Sequence, residues 1–191
     1  MRLCINKVQS RIGQKQGGFT LVELMVTIAV LAIISTIAYP SFTSIINSNR
    51  LTSAANEVLA SAQLARSEAV RLNQTVVLCP ANAALSACDG NDWQNWLLLD
   101  QAGAVLRSWQ VKPPVQIIAS ANISGNDDQL VFSPDGFARD ASGLLLNASI
   151  ASCIPTTQPT DNLRAVRIGG GSRMNVQPVN GAGACAAPAN N

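Results

Sequence analysis

The chain predicts an α+β protein in which one long N-terminal helix, half membrane-spanning and half amphipathic, is laid on antiparallel β-sheet. Three observations predict it. Leu24 to Ile46 is a block of 23 residues without a charge, enough to cross the roughly 30 Å hydrocarbon core as a helix. Next, Leu51, Ala55, Val58, Ala62, Ala65, Ala69 and Leu72 recur at alternating spacings of four and three, one face of a helix. Beyond Asn73 the pattern changes to short β-like runs punctuated by turn sequences.

Taken in order, the helix begins near Phe19 and would span about 80 Å by Leu72 at 1.5 Å per residue. Pro40 falls inside it; a proline there removes one backbone hydrogen bond, and a bend is expected. The alanine-rich stripe lets a flat surface pack closely, with Arg50, Glu57, Ser61 and Glu68 largely off that face. Strands are expected near Thr75–Cys79, Trp96–Asp100, Val105–Trp109, Val115–Ala119, Leu130–Phe132, Leu144–Asn147, Leu163–Ile168 and Arg173–Gln177. Turns are expected at Asp100-Gln-Ala-Gly103, Ser133-Pro-Asp-Gly136 and Gly169-Gly-Gly171. The triple glycine is not followed by Lys-Ser/Thr, so it reads as a turn, not a phosphate loop. The tail from Pro178 to Asn191, rich in Gly, Ala, Asn and Pro, reads as irregular.

Composition excludes several function classes. The chain has no histidine, which removes the commonest general base, the His-dependent nucleophile systems and every His-ligated metal site. Lys112 is the only lysine after Lys15, and it sits beside Pro113 and Pro114. No enzymatic activity, cofactor or metal is expected. The formal charge of +2 hides an asymmetry, because Arg2, Lys7, Arg11 and Lys15 all precede the apolar block with no acid among them. From Phe19 onward nine basic residues face eleven acidic ones, a net of −2. Such a chain is not a globally basic nucleic-acid binder, and any DNA contact must come from a local patch.

A basic stretch before an apolar run also fits an ordinary secretory signal, but this run exceeds the usual h-region and no A-x-A site follows it. A plain signal anchor fits the length and the orientation. Neither explains Gly17-Gly-Phe-Thr-Leu-Val-Glu23 at the mouth of the helix. That stretch resembles the class III leader of type IV pilins and type II secretion pseudopilins. The resemblance implies cleavage between Gly18 and Phe19 by a prepilin peptidase and N-methylation of Phe19. Glu23 would then be a lone carboxylate at the start of a membrane helix, where a charge costs about 2.5–3.5 kcal/mol on insertion scales. In the family the matching glutamate is held to pair with the terminal amine of a neighbouring subunit, which implies a filament-assembly role. The simpler alternative is that Glu23 lies at headgroup depth and favours the helix N-terminus.

With Cys4 in the leader, Cys79, Cys88, Cys153 and Cys185 remain, and three connectivities are formally open. Cys79–Cys88 would close a short loop after a strand, and Cys153–Cys185 would pin the tail; this pairing is favoured. A four-thiolate zinc site is the rival, but the spacings lack the short C-x2–4-C unit such sites use, and an extracytoplasmic location favours disulfides.

Val76-Val-Leu-Cys-Pro80, Cys88, Asp92-Trp93, Trp96 and Leu97-Leu-Leu-Asp100 are similar to the GspH/FimT family, as are Arg66-Ser-Glu-Ala69 and Phe132-Ser-Pro-Asp-Gly136. The family holds minor pilins and the H pseudopilin of type II secretion. The resemblance implies the type IV pilin fold and a chain divided into a cleaved leader (1–18), a transmembrane and filament-core helix (19–46), a periplasmic α+β domain (47–177) and the tail (178–191). It implies a single-pass inner-membrane protein that passes into a filament as a minor pilin priming or capping a type IV pilus. The alternatives are a secretion pseudopilin and a DNA-capturing minor pilin. The implied partners are other pilins or pseudopilins, the prepilin peptidase, the inner-membrane assembly platform, the inner membrane and, weakly, DNA. For DNA, the family's Gly-Arg-x-Arg element corresponds here to Gly171-Ser-Arg-Met174, with one arginine missing. Arg164, Arg167 and Arg173 are the local cations near it; the plainer reading is three solvated strand charges. Trp93 and Trp96 read as core or loop anchors rather than ligand-stacking rings.

Overall fold

The computed structural model describes residues 18–90 and 92–191. Apart from Gly18, the leader expected at residues 1–18, with its Cys4, lies outside the described residues. The chain divides into two units between Tyr39 and Pro40. Helix α1, Leu21–Leu72, is assigned without a break over 52 residues, so Pro40 does not end it.

In the first unit the helix is apolar all round, and its side chains are exposed from Leu21 at 75% to Ile34 at 57%. Its Thr27, Ser35 and Thr36 hydroxyls are cheap to place in an apolar medium, because each bonds a carbonyl of its own helix. Thr27 Oγ1 donates to Leu24 O (2.8 Å), Ser35 Oγ to Leu31 O (2.8 Å) and Thr36 Oγ1 to Ile33 O (2.7 Å). An 18-residue window here has mean hydropathy 2.4, long and apolar enough to cross a membrane.

In the second unit the helix buries the expected stripe. Leu51, Ala55, Val58, Ala62, Ala65 and Ala69 are buried, and Leu72 is half-buried. The buried face is wider than the sequence pattern suggests, since Ala54 and Ser61 are buried too. Ser61, expected off the face, is tolerated there because its Oγ donates to Val58 O at 2.8 Å, leaving no unpaired hydroxyl.

The helix shares one core with two antiparallel sheets. Strands β1 (Val76–Pro80), β2 (Asn95–Leu99), β3 (Val105–Gln110), β5 (Leu130–Phe132) and β6 (Ala138–Arg139) form one sheet, in the order β3-β2-β1-β5-β6. Strands β4 (Gln116–Ala119), β7 (Ala148–Cys153), β8 (Leu163–Ile168) and β9 (Met174–Val179) form the other, in the order β4-β7-β8-β9. A single turn of helix, α2 (Ala121–Ser124), follows β4. Leu78, Trp96 and Phe132 from the first sheet, and Ile150, Val166 and Ile168 from the second, meet the alanine stripe in the core.

Two expectations are corrected. Leu144–Asn147 is not a strand; Leu145 makes only an isolated bridge to Arg139, and the strand lies just after it, at Ala148–Cys153. β9 continues to Val179, two residues into the expected tail. The loop Ser133-Pro-Asp-Gly136 turns as expected, with Gly136 N donating to Ser133 O at 2.8 Å. Gly136 sits at φ +78°, and a Cβ there would come within 3.1 Å of the Val70 side chain on the helix, so glycine is required both for the backbone and for the close approach.

Candidate assembly site, disulfides and surface arginines

Gly18 and Phe19 are both exposed, and a Cβ built on Gly18 would meet nothing within 4 Å. Thr20 caps the helix that follows. Its Oγ1 accepts a hydrogen bond from Glu23 N at 3.1 Å, and its carbonyl accepts one from Leu24 N at 3.1 Å. Thr20-Leu-Val-Glu23 is therefore the Ser/Thr-x-x-Glu pattern of a helix start. That signal was present in the sequence but unread, and it assigns Thr20 the job of fixing where the helix begins. Glu23 lies in the first turn, where a carboxylate is favoured by the exposed N–H groups. The ion pairs among the described residues are Arg71–Glu68 and Arg139–Asp135; Glu23 is exposed and is in neither of them.

The structure joins Cys79 to Cys88 and Cys153 to Cys185, the pairing favoured from the sequence. Both bridges perform the same task. Cys79, with Ala81 and Leu97, faces away from the core on the first sheet, and the Cys88 loop packs over them with Leu85. Cys153, with Ala151, Leu163 and Ala165, lies on the outer face of the second sheet, and Cys185 covers them. The tail continues across that face. Ser149 Oγ donates to Ala189 O, and Asn122 N donates to Asn190 Oδ1 at 3.1 Å. Each disulfide thus staples an irregular segment over the apolar back of a sheet that has no second layer to cover it.

This arrangement separates the three arginines that the sequence groups. Arg164 and Arg167 are three residues apart on one strand, so they point to opposite faces. Arg164 shares a face with the core residues Val166 and Ile168. Its guanidinium is occupied by Asp161 O (2.7 Å), Leu163 O (3.0 Å) and Ser48 Oγ (3.1 Å), so it ties the strand to the helix. Arg167 pairs across from Ser149 on the outer face, on the side the tail covers, and its Nε is buried. Arg173 is exposed and lies with Arg66 and Arg71 of the helix, on a groove between the helix and the β8–β9 turn. Arg66 has a second role. Its guanidinium donates to Ser172 O at 3.1 Å, while Ser172 Oγ accepts from Ala138 N at 2.6 Å. The helix, the edge strand of the first sheet and the turn of the second are thereby linked through one buried serine.

Trp93 and Trp96 are core residues, 4% and 1% exposed. Trp96 stacks on Trp109 across the strand pair at 6.0 Å between centroids. Among the described residues no group of His, Cys, Asp and Glu is placed to hold a metal. At the Ser133–Gly136 turn the Asp135 carboxyl is held below the usual carboxylate range, first by the Arg139 guanidinium hydrogen bond (2.6 Å) and then by the Phe137 amide.

The family model for the type II transport protein GspH matches residues 54–172, and that for the prokaryotic N-terminal methylation motif matches residues 13–39. No curated protein sequence matches the chain. Among solved structures, the type IV minor pilin FimU of Pseudomonas aeruginosa is similar, at 23% identity and a TM-score of 0.50, over 69% of this chain and 90% of that one. The minor pseudopilin EpsH of Vibrio cholerae aligns at 9% identity and a TM-score of 0.47, over 68% of this chain and 97% of that one. The likeness to FimU is one of fold: a long helix on antiparallel sheet. The GspH match covers more than half of the sequence and includes the helix stripe from Ala55 onward, both core tryptophans and Ser172, with the methylation motif N-terminal to it: the chain belongs to the GspH family of pilin-like minor pilins and pseudopilins.

Proposed function

We propose that the chain is a minor pilin, cleaved between Gly18 and Phe19, N-methylated on Phe19, held in the inner membrane by residues 19–46 and inserted into a type IV pilus, which it primes or caps. The domain at 47–177 and the tail at 178–191 would then lie in the periplasm before assembly. The observation that carries the reading is the segment from Phe19 to Ile34. It exposes large apolar side chains on every side, Phe19 at 81% and Leu31 at 65%, around one carboxylate that makes no ion pair among the described residues. A surface of that kind needs lipid or the apolar helices of other subunits, and Glu23 favours the second, because a neighbour's terminal amine offers it a counter-charge that lipid does not. The prepilin peptidase and the assembly platform are partners on this reading. Catalysis forms no part of it, and neither does DNA capture, since Arg164 is occupied and Arg167 lies on the covered face.

The match to the type II transport protein GspH favours a second reading, a pseudopilin of a secretion filament. Processing and helix packing are the same in both; the machine differs. Mass spectrometry of the membrane-extracted protein tests what they share. Residues 19–191 carrying one methyl group are expected, and an intact Met1 start or a cleavage after the apolar block would refute both.

A further inference from the structure

Four of the nine cations of residues 19–191 surround the last turns of α1, on two grooves. The larger, about 600 Å³, lies between Arg66, Val70 and Arg71 of the helix and Arg173 and Met174 at the start of β9. The smaller, about 260 Å³, lies between Leu64, Glu68 and Arg71 of the helix and Leu106 and Arg107 of β3. Arg71 borders both. The one acid among them, Glu68, is bound to Arg71 at 2.6 Å, so the patch keeps a positive balance of four arginines against one carboxylate. The rest of residues 19–191 holds five cations against ten acids. Apolar surface lies among the arginines: Val70 is 54% exposed and Leu106 38%. Arg107 sits 5.7 Å from the centre of the Trp109 ring, which holds its guanidinium at the groove wall.

We infer that this end of the helix is a docking surface for an acidic segment of a neighbouring filament subunit, one that sets an apolar side chain into a groove and carboxylates against the arginines. The inference rests on the reading of the chain as a filament subunit. One feature favours a peptide over a nucleic-acid backbone. A phosphate chain has no apolar group to cover Val70 and Leu106, whereas a peptide loop carries both kinds of group. Arginine forks bind carboxylates and phosphates alike in paired hydrogen bonds, so the apolar surface between them is what discriminates. A subunit that is otherwise net acidic also gains its docking register from a local patch of opposite sign.

The test uses the full-length chain in its own cells, with a photo-crosslinking amino acid at position 70 or, as a control on another surface, at position 144, where Leu144 is 67% exposed. Sheared filaments are irradiated and the joined peptides identified by mass spectrometry. Position 70 should join to a segment rich in Asp or Glu on another subunit, and position 144 should not. Combining Arg107→Glu and Arg173→Glu should lower the yield at least tenfold, while Arg107→Lys with Arg173→Lys should largely keep it; intact disulfides in each variant show that the fold is retained. A joined segment without carboxylates, a DNA adduct, an unchanged yield on charge reversal, or no product from a chain present in the filament would overturn the inference. Absence of the unsubstituted chain from the filament fraction would instead overturn the subunit reading, and this inference with it.

Discussion

The two halves of α1 are both rich in apolar residues and meet opposite fates. Between Leu21 and Ile34 the large apolar side chains are half to three-quarters exposed, whereas Leu51, Ala55, Ala62, Ala65 and Ala69 are completely buried. The difference lies in side-chain size and in what is available to cover it. The later half uses alanine, so two sheets can approach the helix backbone and bury it within this chain. The earlier half uses Leu, Ile and Val in every direction, a pattern no single sheet can cover, so its covering must come from lipid or other subunits. Burial in one half is a property of the fold; in the other it is a property of the assembly.

Substitutions can break that contrast. The largest effect is expected in the shared core, where Phe132→Ala should cost about 3–5 kcal/mol, read from urea unfolding followed by near-ultraviolet circular dichroism. Replacing Cys153 and Cys185 with Ser should cost about 3–4 kcal/mol in the chain-entropy model, the bridge joining residues 32 apart in sequence. Limited proteolysis should then cut within the tail, while Cys79–Cys88 stays intact in peptide mapping. Smaller still, Ala62→Leu should overpack the helix–sheet contact and cost about 1–3 kcal/mol, while Ala29→Leu, on the exposed half, should leave the unfolding midpoint unchanged. Equal effects at the two alanines would end the distinction between the halves.

The smallest effect concerns acid. The folded pKa of Asp135 is depressed, so its hydrogen bonds to Arg139 and Phe137 contribute fully above the ordinary carboxylate range and are lost as pH falls through the lowered folded value. Asp135→Asn should flatten the acid side of the stability profile slightly and leave neutral pH nearly untouched, because the pair is solvent-exposed.

The legible parts of the fold were those whose pattern is local. The alanine stripe was readable because a buried helix face repeats within the sequence, and most strand positions because glycine turns bracket them. Ala148–Cys153 was not readable. Its residues, Ala-Ser-Ile-Ala-Ser-Cys, are small and weakly apolar, yet all six are buried. The strand is covered on both faces: Ser152 Oγ donates to Leu51 O at 2.9 Å on the helix side, and the tail crosses Ser149 on the other. Small side chains suit that crowded slot, while Leu144-Leu-Leu146 beside it had the stronger strand signal and lies largely in a loop, with Leu144 exposed. The same blindness explains the arginines. Spacing places Arg164, Arg167 and Arg173 together, but strand alternation parts the first two, and nothing in the spacing shows that the tail returns over Arg167. At the N-terminus the helix cap is local, so Thr20 could have been read from Thr20-Leu-Val-Glu23.

The central claim is that the exposed half of α1 is completed by other subunits through Glu23. The most direct measurement compares native and Glu23→Ala chains in sheared-filament and membrane fractions of the same cells, by quantitative immunoblot. Removing the carboxylate should not impair insertion, so the account predicts equal amounts in the membrane and at least a severalfold loss of the variant from filaments. Equal incorporation of the two chains would contradict it.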